Sequence, residues 1–364
     1  MPINVLLVDD SVFIRKVIKS IIEKDPMIKV IGSANNGASA IIKNNELNPD
    51  VIVLDIEMPL LDGLSCLMTI METNPKPVVM LSALTGVGTE ATLRSLELGA
   101  VDFVAKPSAK DSLEQIADEL ISKIKLAAKV QVKPIRPPDS LSRKKDSNLP
   151  GYPQGTGLMA EQIVAIGIST GGPPVLAQIF KEFPENFPAA VLVAQHMPEG
   201  FTYSLAARLD QISTLGVKEA ADGDIPFAGC AYIAPGYGHL TLDRQSGGGY
   251  VLRVEKTDKV KGCRPSVNML FSSVSETAGS DAIGLIMTGM GSDGAVGIKH
   301  IRDLGGYTIA QDRESSVVYG MNRVAVEMDA IDEIVKLDKI VKKIVEYINS
   351  VRERRNISII SGNR

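Results

Sequence analysis

Tryptophan is absent, and phenylalanine and tyrosine number only eight each in 364 residues. Aliphatic side chains must therefore fill most of the cores. Three cysteines, Cys66, Cys230 and Cys263, stand far apart, odd in number, with no Cys-x-x-Cys. Such spacing suggests neither a zinc site nor a disulfide framework, and it suits a reducing cytoplasm. No apolar run nears the roughly twenty residues that span a bilayer. The opening Met1-Pro2-Ile3-Asn4 leads straight into an apolar run, without the basic region and cleavage site of a secretory leader. Basic excess is lacking too: 39 Lys and Arg face 43 Asp and Glu, for a net charge of −4. The expectation is no nucleic-acid partner and no membrane insertion. What is present is a 45% hydrophobic chain long enough for two packed domains.

The chain is organised around Gly167-Ile168-Ser169-Thr170-Gly171-Gly172, which follows the branched apolar run Ile163-Val164-Ala165-Ile166. That run reads as a buried parallel strand. Gly171-Gly172 marks a sharp turn, and Pro173 and Pro174 suit the first turn of a helix. Ser169 thus closes a strand at the end where open α/β sheets bind ligands. Gly-x-Ser-x-Gly is also the pattern of nucleophilic serines, although a serine capping a helix explains these residues as well.

Before this stretch, over residues 1–126, five apolar runs at 3–8, 28–33, 51–54, 78–81 and 101–105 alternate with amphipathic stretches such as 13–23 and 112–125. The alternation predicts a doubly wound, flavodoxin-like α/β domain with five parallel strands. Its strand ends carry Asp9 and Asp10, Asp55, Ser82, and Lys106 before Pro107. Converging carboxylates repel unless a cation sits among them, and hard oxygen ligands suit Mg2+. A lysine and a hydroxyl beside them could hold an acyl phosphate.

These residues resemble the receiver domain of bacterial response regulators. Asp9-Asp10-Ser11, the stretch from Leu54 to Gly63, Met80-Leu81-Ser82-Ala83, Phe103 and Lys106-Pro107 carry the likeness. Leu61 stands where methionine is commoner. The resemblance implies phosphorylation of Asp55. It implies Mg2+ held by Asp10, Asp55 and the Glu57 carbonyl, with Asp9 behind them. Ser82, Phe103 and Lys106 become the switch residues, and Pro107 is expected to be cis. Phosphate on Asp55 is expected to draw Ser82 and Phe103 inward.

Residues 127–158 change character, with five prolines between Pro134 and Pro153 and a run of basic residues, and read as an extended connector. Over 159–350 the alternation resumes, with strands expected at 163–168, 189–194, 230–234, 283–288 and 307–310. A hairpin, 240–243 with 250–255, interrupts them. The expectation is a second doubly wound α/β domain with an antiparallel insertion, and residues 351–364 form a tail.

The chain has only three histidines. His239 opens a hairpin strand and His300 lies in a helical stretch at 295–304; His196 follows a buried strand and shares the edge with Ser169. The strand at 283–288 leads into Gly289-Met290-Gly291-Ser292-Asp293-Gly294, which brings Asp293 to that edge. Serine, histidine and aspartate make an acyl-transfer site: His196 takes the serine proton, and Asp293 fixes its tautomer. The rival is dinucleotide binding, since Gly289-x-Gly291-x-x-Gly294 fits that fingerprint and Asp312 follows as a ribose-type acid. Against it, Asp293 would sit where a pyrophosphate must, at a cost of about 4 kcal/mol for like charges ~4 Å apart.

The receiver-like segment, the basic connector, Gly167 to Gly172, Ala194-Gln195-His196-Met197-Pro198, Cys263-Arg264-Pro265-Ser266-Val267 and Gly289 to Gly294 together resemble the CheB family of chemotaxis methylesterases. The resemblance implies Ser169, His196 and Asp293 as triad, the Met290 N–H as oxyanion donor, and Thr170 and Arg264 as nearby contacts. Asn268 departs from a position where the family often has Asp. The implied function is a phosphorylation-activated serine hydrolase that removes methyl esters from chemoreceptor glutamates and deamidates glutamines. Its expected partners are methyl-accepting chemoreceptors and a chemotaxis histidine kinase as phosphodonor. Its expected location is cytoplasmic, with no cofactor at the esterase site. The unphosphorylated receiver is expected to cover the catalytic edge. The different-class alternative is a response regulator with a non-catalytic DNA-binding or dinucleotide-binding output; a DNA-binding output would want a basic helix-turn-helix module.

Overall fold

A computed structural model describes residues 1–83, 86–106, 113–132 and 157–362 of the chain. The connector expected at 127–158 lies largely outside them, as does Pro107. Two compact units divide the chain, Met1–Leu141 and Ser142–Arg364.

In the first unit β1 (Ile3–Val8), α1 (Val12–Ile22), β2 (Ile28–Ala34), α2 (Gly37–Leu47), β3 (Val51–Asp55), α3 (Gly63–Thr73), β4 (Val78–Ser82), α4 (Gly86–Glu97), β5 (Asp102–Ala105) and α5 (Leu113–Ala127) alternate. The strands pair in parallel, in the order β2-β1-β3-β4-β5. β3 and β4 are buried at every position, and up to their last residues, Asp55 and Ser82, both are unbroken apolar runs. The helices begin where side chains satisfy otherwise unpaired backbone donors. Asn36 accepts from the Ser39 N–H at 2.8 Å and Asp62 from the Ser65 N–H at 2.8 Å. The strand order reverses between β1 and β3, which opens a crevice at their C-terminal ends.

The second unit runs β6 (Ile163–Ile168), α6 (Gly172–Phe180), β7 (Ala190–Gln195), α7 (Phe201–Ile212), β8 (Gly216–Glu219), β9 (Cys230–Ile233), β10 (His239–Arg244), β11 (Tyr250–Glu255), α8 (Val267–Ala278), β12 (Ala282–Ile286), α9 (Ala295–Asp303), β13 (Tyr307–Gln311), α10 (Met321–Glu327), β14 (Glu333–Val335) and α11 (Ile340–Gly362). Seven parallel strands form one sheet, β14-β13-β12-β6-β7-β9-β8, and β10 pairs with β11 as the antiparallel hairpin. The chain builds outward from β6 through β7 on one side and later through β12 on the other. The reversal therefore sits beside β6. Two edge strands, β8 and β14, are absent from the sequence reading; they are short and carry charged residues such as Lys218, Glu219 and Glu333. The last helix continues to Gly362, through most of the stretch read as a tail.

The few aromatic rings are used in clusters. Phe180, Phe183 and Phe187 meet edge to face at centroid distances of 5.6 and 4.8 Å. Tyr307 on β13 stacks on Tyr347 of α11 at 4.2 Å. Close packing also fixes α8: a Cβ at Gly167 would lie 2.1 Å from Val267 Cγ1, so β6 and the first turn of α8 press together only because residue 167 is glycine. Among the described residues no helix is long and apolar enough to cross a membrane.

Candidate active site

Ser169 follows the last residue of β6, and its N–H donates to the Thr288 carbonyl at 3.0 Å. Its own carbonyl accepts from Gly172 N–H at 2.8 Å, which closes the turn into α6. Gly171, the residue before that helix, has φ 75°, a left-handed conformation that disfavours side chains. Gly289 makes the other close approach: a Cβ there would fall 2.7 Å from Ser169 Cβ.

His196 leaves β7 with its N–H on the Ile168 carbonyl at 3.1 Å, so it sits directly beside the serine. Its Nδ1 lies 3.1 Å from Ser169 Oγ and its Nε2 lies 2.9 Å from Asp293 Oδ2. Nδ1 therefore faces the Ser169 hydroxyl, and the proton on the neutral imidazole belongs on Nε2, donated to Asp293.

Asp293 is buried and its two oxygens accept four hydrogen bonds. Beyond Nε2, Oδ2 takes the Val267 N–H at 2.7 Å; Oδ1 takes the Ser266 hydroxyl at 3.0 Å and the Asn268 N–H at 3.1 Å. Two of these donors are the first N–H groups of α8, so the carboxylate rests on a helix N-terminus, where the dipole favours negative charge. Burial by itself raises the pKa of Asp293; the His196 contact and these N–H groups outweigh it and hold the carboxyl below its usual range. Burial likewise lowers His196, but Asp293 and the neighbouring Cys263 outweigh it and raise the imidazole to about 9.

Of the remaining expected contacts, Met290 follows Gly289 and is partly exposed, and Thr170 is buried with its carbonyl on Thr288 Oγ1 at 2.9 Å. Arg264 Nη1 donates to the Thr257 carbonyl at 3.2 Å. The Asn268 side chain accepts from Gly297 N–H at 2.9 Å, so this position ties α8 to α9, and its backbone rather than its side chain serves Asp293. His239 is buried; Nε2 donates to the Asp258 carbonyl and Nδ1 accepts the Ser266 N–H, both at 3.0 Å. It thereby steadies the start of α8. Two residues that stand in the sequence only within family-like stretches, with no role assigned, are found at the site. Gln195 Nε2 donates to the carbonyls of both Ser169 (3.0 Å) and His196 (3.2 Å), and one donor atom each of Cys263, His196 and Asp293 lies within 4.8 Å of the others.

In the first unit Asp9, Asp10 and Asp55 gather within 4.8 Å at the β1/β3 crevice. Lys106 Nζ reaches Asp55 Oδ2 at 2.7 Å and Asp9 Oδ2 at 3.0 Å. Three carboxylates against one ammonium leave the pocket two negative charges in excess, which is the charge and the oxygen donor set that Mg2+ fits. Burial pushes Asp55 up most, Lys106 opposes, and Asp9 adds to the rise; the result is about 6. Ser82 is buried, donates to the Gly88 carbonyl at 3.3 Å and accepts from Thr92 Oγ1 at 2.5 Å. Phe103 is already buried, with Lys123 Nζ 5.2 Å from its ring centre.

The dinucleotide reading of Gly289 to Gly294 fails on Asp293, whose acceptor positions are taken by His196 and α8. The helix-turn-helix requirement fails on the seven-stranded parallel sheet of the second unit.

Comparison with known proteins bears on both units. The family model described as CheB methylesterase matches residues 164–344, and that described as response regulator receiver domain matches residues 5–118. A protein-glutamate methylesterase/protein-glutamine glutaminase of Pyrococcus abyssi is 44% identical over 362 residues, covering 98% of this chain and 96% of the relative. A protein of that description from Pseudomonas aeruginosa, numbered 2 there, is 42% identical over 352 residues, covering 95% of this chain and 97% of its own length. The crystal structure of the Thermotoga maritima CheB methylesterase catalytic domain aligns with a TM-score of 0.50 and 44% identity, over 51% of this chain and 98% of that one.

Proposed function

The chain belongs to the CheB methylesterase family, and from that premise we propose a phosphorylation-activated serine hydrolase acting on glutamyl methyl esters of chemoreceptors. Ser169 Oγ attacks the γ-carbonyl while His196 Nδ1 accepts its proton. Asp293 holds the Nε2 proton and balances the imidazolium that forms. The Met290 N–H is the proposed donor to the oxyanion, with Thr170 and Arg264 as substrate-side contacts. His196 returns the proton to the departing methoxide, methanol leaves, and water repeats the sequence on the acyl-enzyme. A glutamine side chain enters the same path and loses ammonia.

The acceptor of the activating phosphoryl group is Asp55, with a chemotaxis histidine kinase as the phosphodonor. Asp10, Asp55 and the Glu57 carbonyl would hold Mg2+, with Asp9 behind them; the ion supplies charge neutralisation for the incoming phosphoryl group. Lys106 holds Asp55 in place, and Ser82 and Phe103 read its state. The reading places the reaction in the cytoplasm, in keeping with three cysteines that are all free thiols.

The observation that carries the hydrolase reading is the unbroken contact chain from Ser169 Oγ through His196 to Asp293, at 3.1 and 2.9 Å. The test is methanol release from methylated receptor membranes. Ser169→Ala should lower the rate by about 10⁴ or more while Asp55 still accepts phosphate. Methanol release at the wild-type rate by that variant would sink the mechanism.

A further inference from the structure

Cys263 reaches the triad through a tight turn. Val260 and Cys263 exchange both backbone hydrogen bonds at 3.0 Å, and the two residues between them, Lys261 and Gly262, have φ of 49° and 84°. Positive φ at both central positions is the mark of a type I′ turn, which reverses the chain within two residues. The turn hands Cys263 to the side of His196 four residues before the first N–H groups of α8 close on Asp293. Thiol, imidazole and carboxylate then have one donor atom each within 4.8 Å of the other two. The acyl-transfer path of the preceding section makes no use of the thiol.

We propose that Cys263, His196 and Asp293 form a binding site for a borderline-soft divalent transition metal, with Zn2+ the best fit, and that occupancy silences Ser169. Sulfur, nitrogen and oxygen donors are the ligand set of zinc, with bonds of about 2.3 Å to sulfur and ~2.0–2.2 Å to nitrogen and oxygen. Donors around such an ion lie about 3.5 Å apart, so closing the cluster takes shifts of about an ångström. The ion takes the place of the proton between His196 Nε2 and Asp293 Oδ2, and that pair opens slightly from 2.9 Å. Two of the three residues, His196 and Cys263, are only half-buried, which leaves an entry path. Water completes the tetrahedron.

The proton count explains the inhibition. Cys263 binds as thiolate and its proton goes to solvent. Neutral imidazole bound through Nε2 must carry its single proton on Nδ1, the nitrogen 3.1 Å from Ser169 Oγ. Nδ1 then donates to the serine and can no longer accept from it. The metal therefore removes the general base without touching the nucleophile. The inhibition half of this inference rests on the triad reading; the metal site itself does not.

The experiment uses the full-length protein with excess Mg2+ to occupy the carboxylate cluster of the first unit. Titration with Co2+ as the probe should give a near-ultraviolet thiolate-to-metal charge-transfer band that saturates at a single equivalent and is displaced by Zn2+. In the same samples stoichiometric Zn2+ should block fluorophosphonate labelling of Ser169, and a chelator should restore it. Cys263→Ala and Cys263→Ser should lose the band, and their residual labelling should be insensitive to that dose of Zn2+. Absence of the band in the wild-type protein overturns the site, whatever the variants do. Equal Zn2+ sensitivity in the wild type and both variants also overturns it. A band in a protein that releases no methanol keeps the site and refutes the hydrolase reading instead.

Discussion

Burial alone would make His196 a weaker base, yet Asp293 and the Cys263 sulfur lift it to about 9. An imidazolium cannot accept the Ser169 proton. The free-enzyme profile of kcat/KM should therefore climb with pH toward a midpoint near 9, since that parameter reports the ionisation of free enzyme. Cys263→Ala removes one of the two raising influences and should shift the midpoint down. Initial rates of methyl ester hydrolysis across pH 6–10 would check both, and a flat profile from neutrality to pH 9 would refute the assignment. Stability follows with the opposite sign. The paired imidazolium contributes fully below the unfolded-state value near 6.5 and its contribution is lost as pH rises through about 9. At this scale the triad is legible in sequence because each member closes a buried strand or the loop after one. Cys263 is not, because it lies in a turn between hairpin and helix, where no periodicity says which way a side chain faces. Gln195 is hidden for another reason: it reads as the polar end of a strand until its amide is seen holding two backbone carbonyls.

The start of α8 is the element on which the triad leans. Ser266 does two jobs there: its hydroxyl accepts from the Met269 N–H at 3.4 Å and donates to Asp293 at 3.0 Å. Ser266→Ala should therefore lower stability by about 1 kcal/mol, as loss of an N-cap does. It also leaves Asp293 with one donor fewer, so the carboxylate binds the imidazolium more strongly. The midpoint of the pH–rate profile should move up, an effect that a merely loosened helix would not produce. Thermal unfolding and the pH profile of the same variant separate the two; an unshifted midpoint would mean that the Val267 and Asn268 N–H groups suffice. The sequence shows the strands of both sheets well because each interior strand is an unbroken buried run, as in β3 and β4. β8 and β14 stay hidden because edge strands can be short and charged. The role of α8 stays hidden because a helix N-terminus binding a carboxylate from a distant loop leaves no local pattern.

Across the whole molecule one chain carries two pockets built by one rule, acidic or nucleophilic groups at the C-terminal ends of parallel strands beside a reversal of strand order. The first pocket can control the second only if Asp55 is a competent phosphoryl acceptor. As a nucleophile it must be ionised, and burial, opposed by Lys106 and reinforced by Asp9, sets its value at about 6. Labelling by acetyl phosphate with Mg2+ should therefore fall once the pH is low enough to protonate the carboxyl, with a midpoint below about 6 because the bound cation favours the carboxylate. Asp55→Asn keeps the shape but removes both the nucleophilic charge and one metal ligand, so no stable label should form. In the wild-type protein a phosphodonor should raise methanol release from methylated receptors; in Asp55→Asn the rate should stay at its unstimulated value. A tenfold stimulation would correspond to about 1.4 kcal/mol of coupling between the phosphorylated state and the active one. The comparison needs Ser169 intact in both proteins, which fluorophosphonate labelling confirms. If the phosphodonor stimulates Asp55→Asn as much as the wild type, control does not run through Asp55, and the carboxylate cluster of the first unit needs another role.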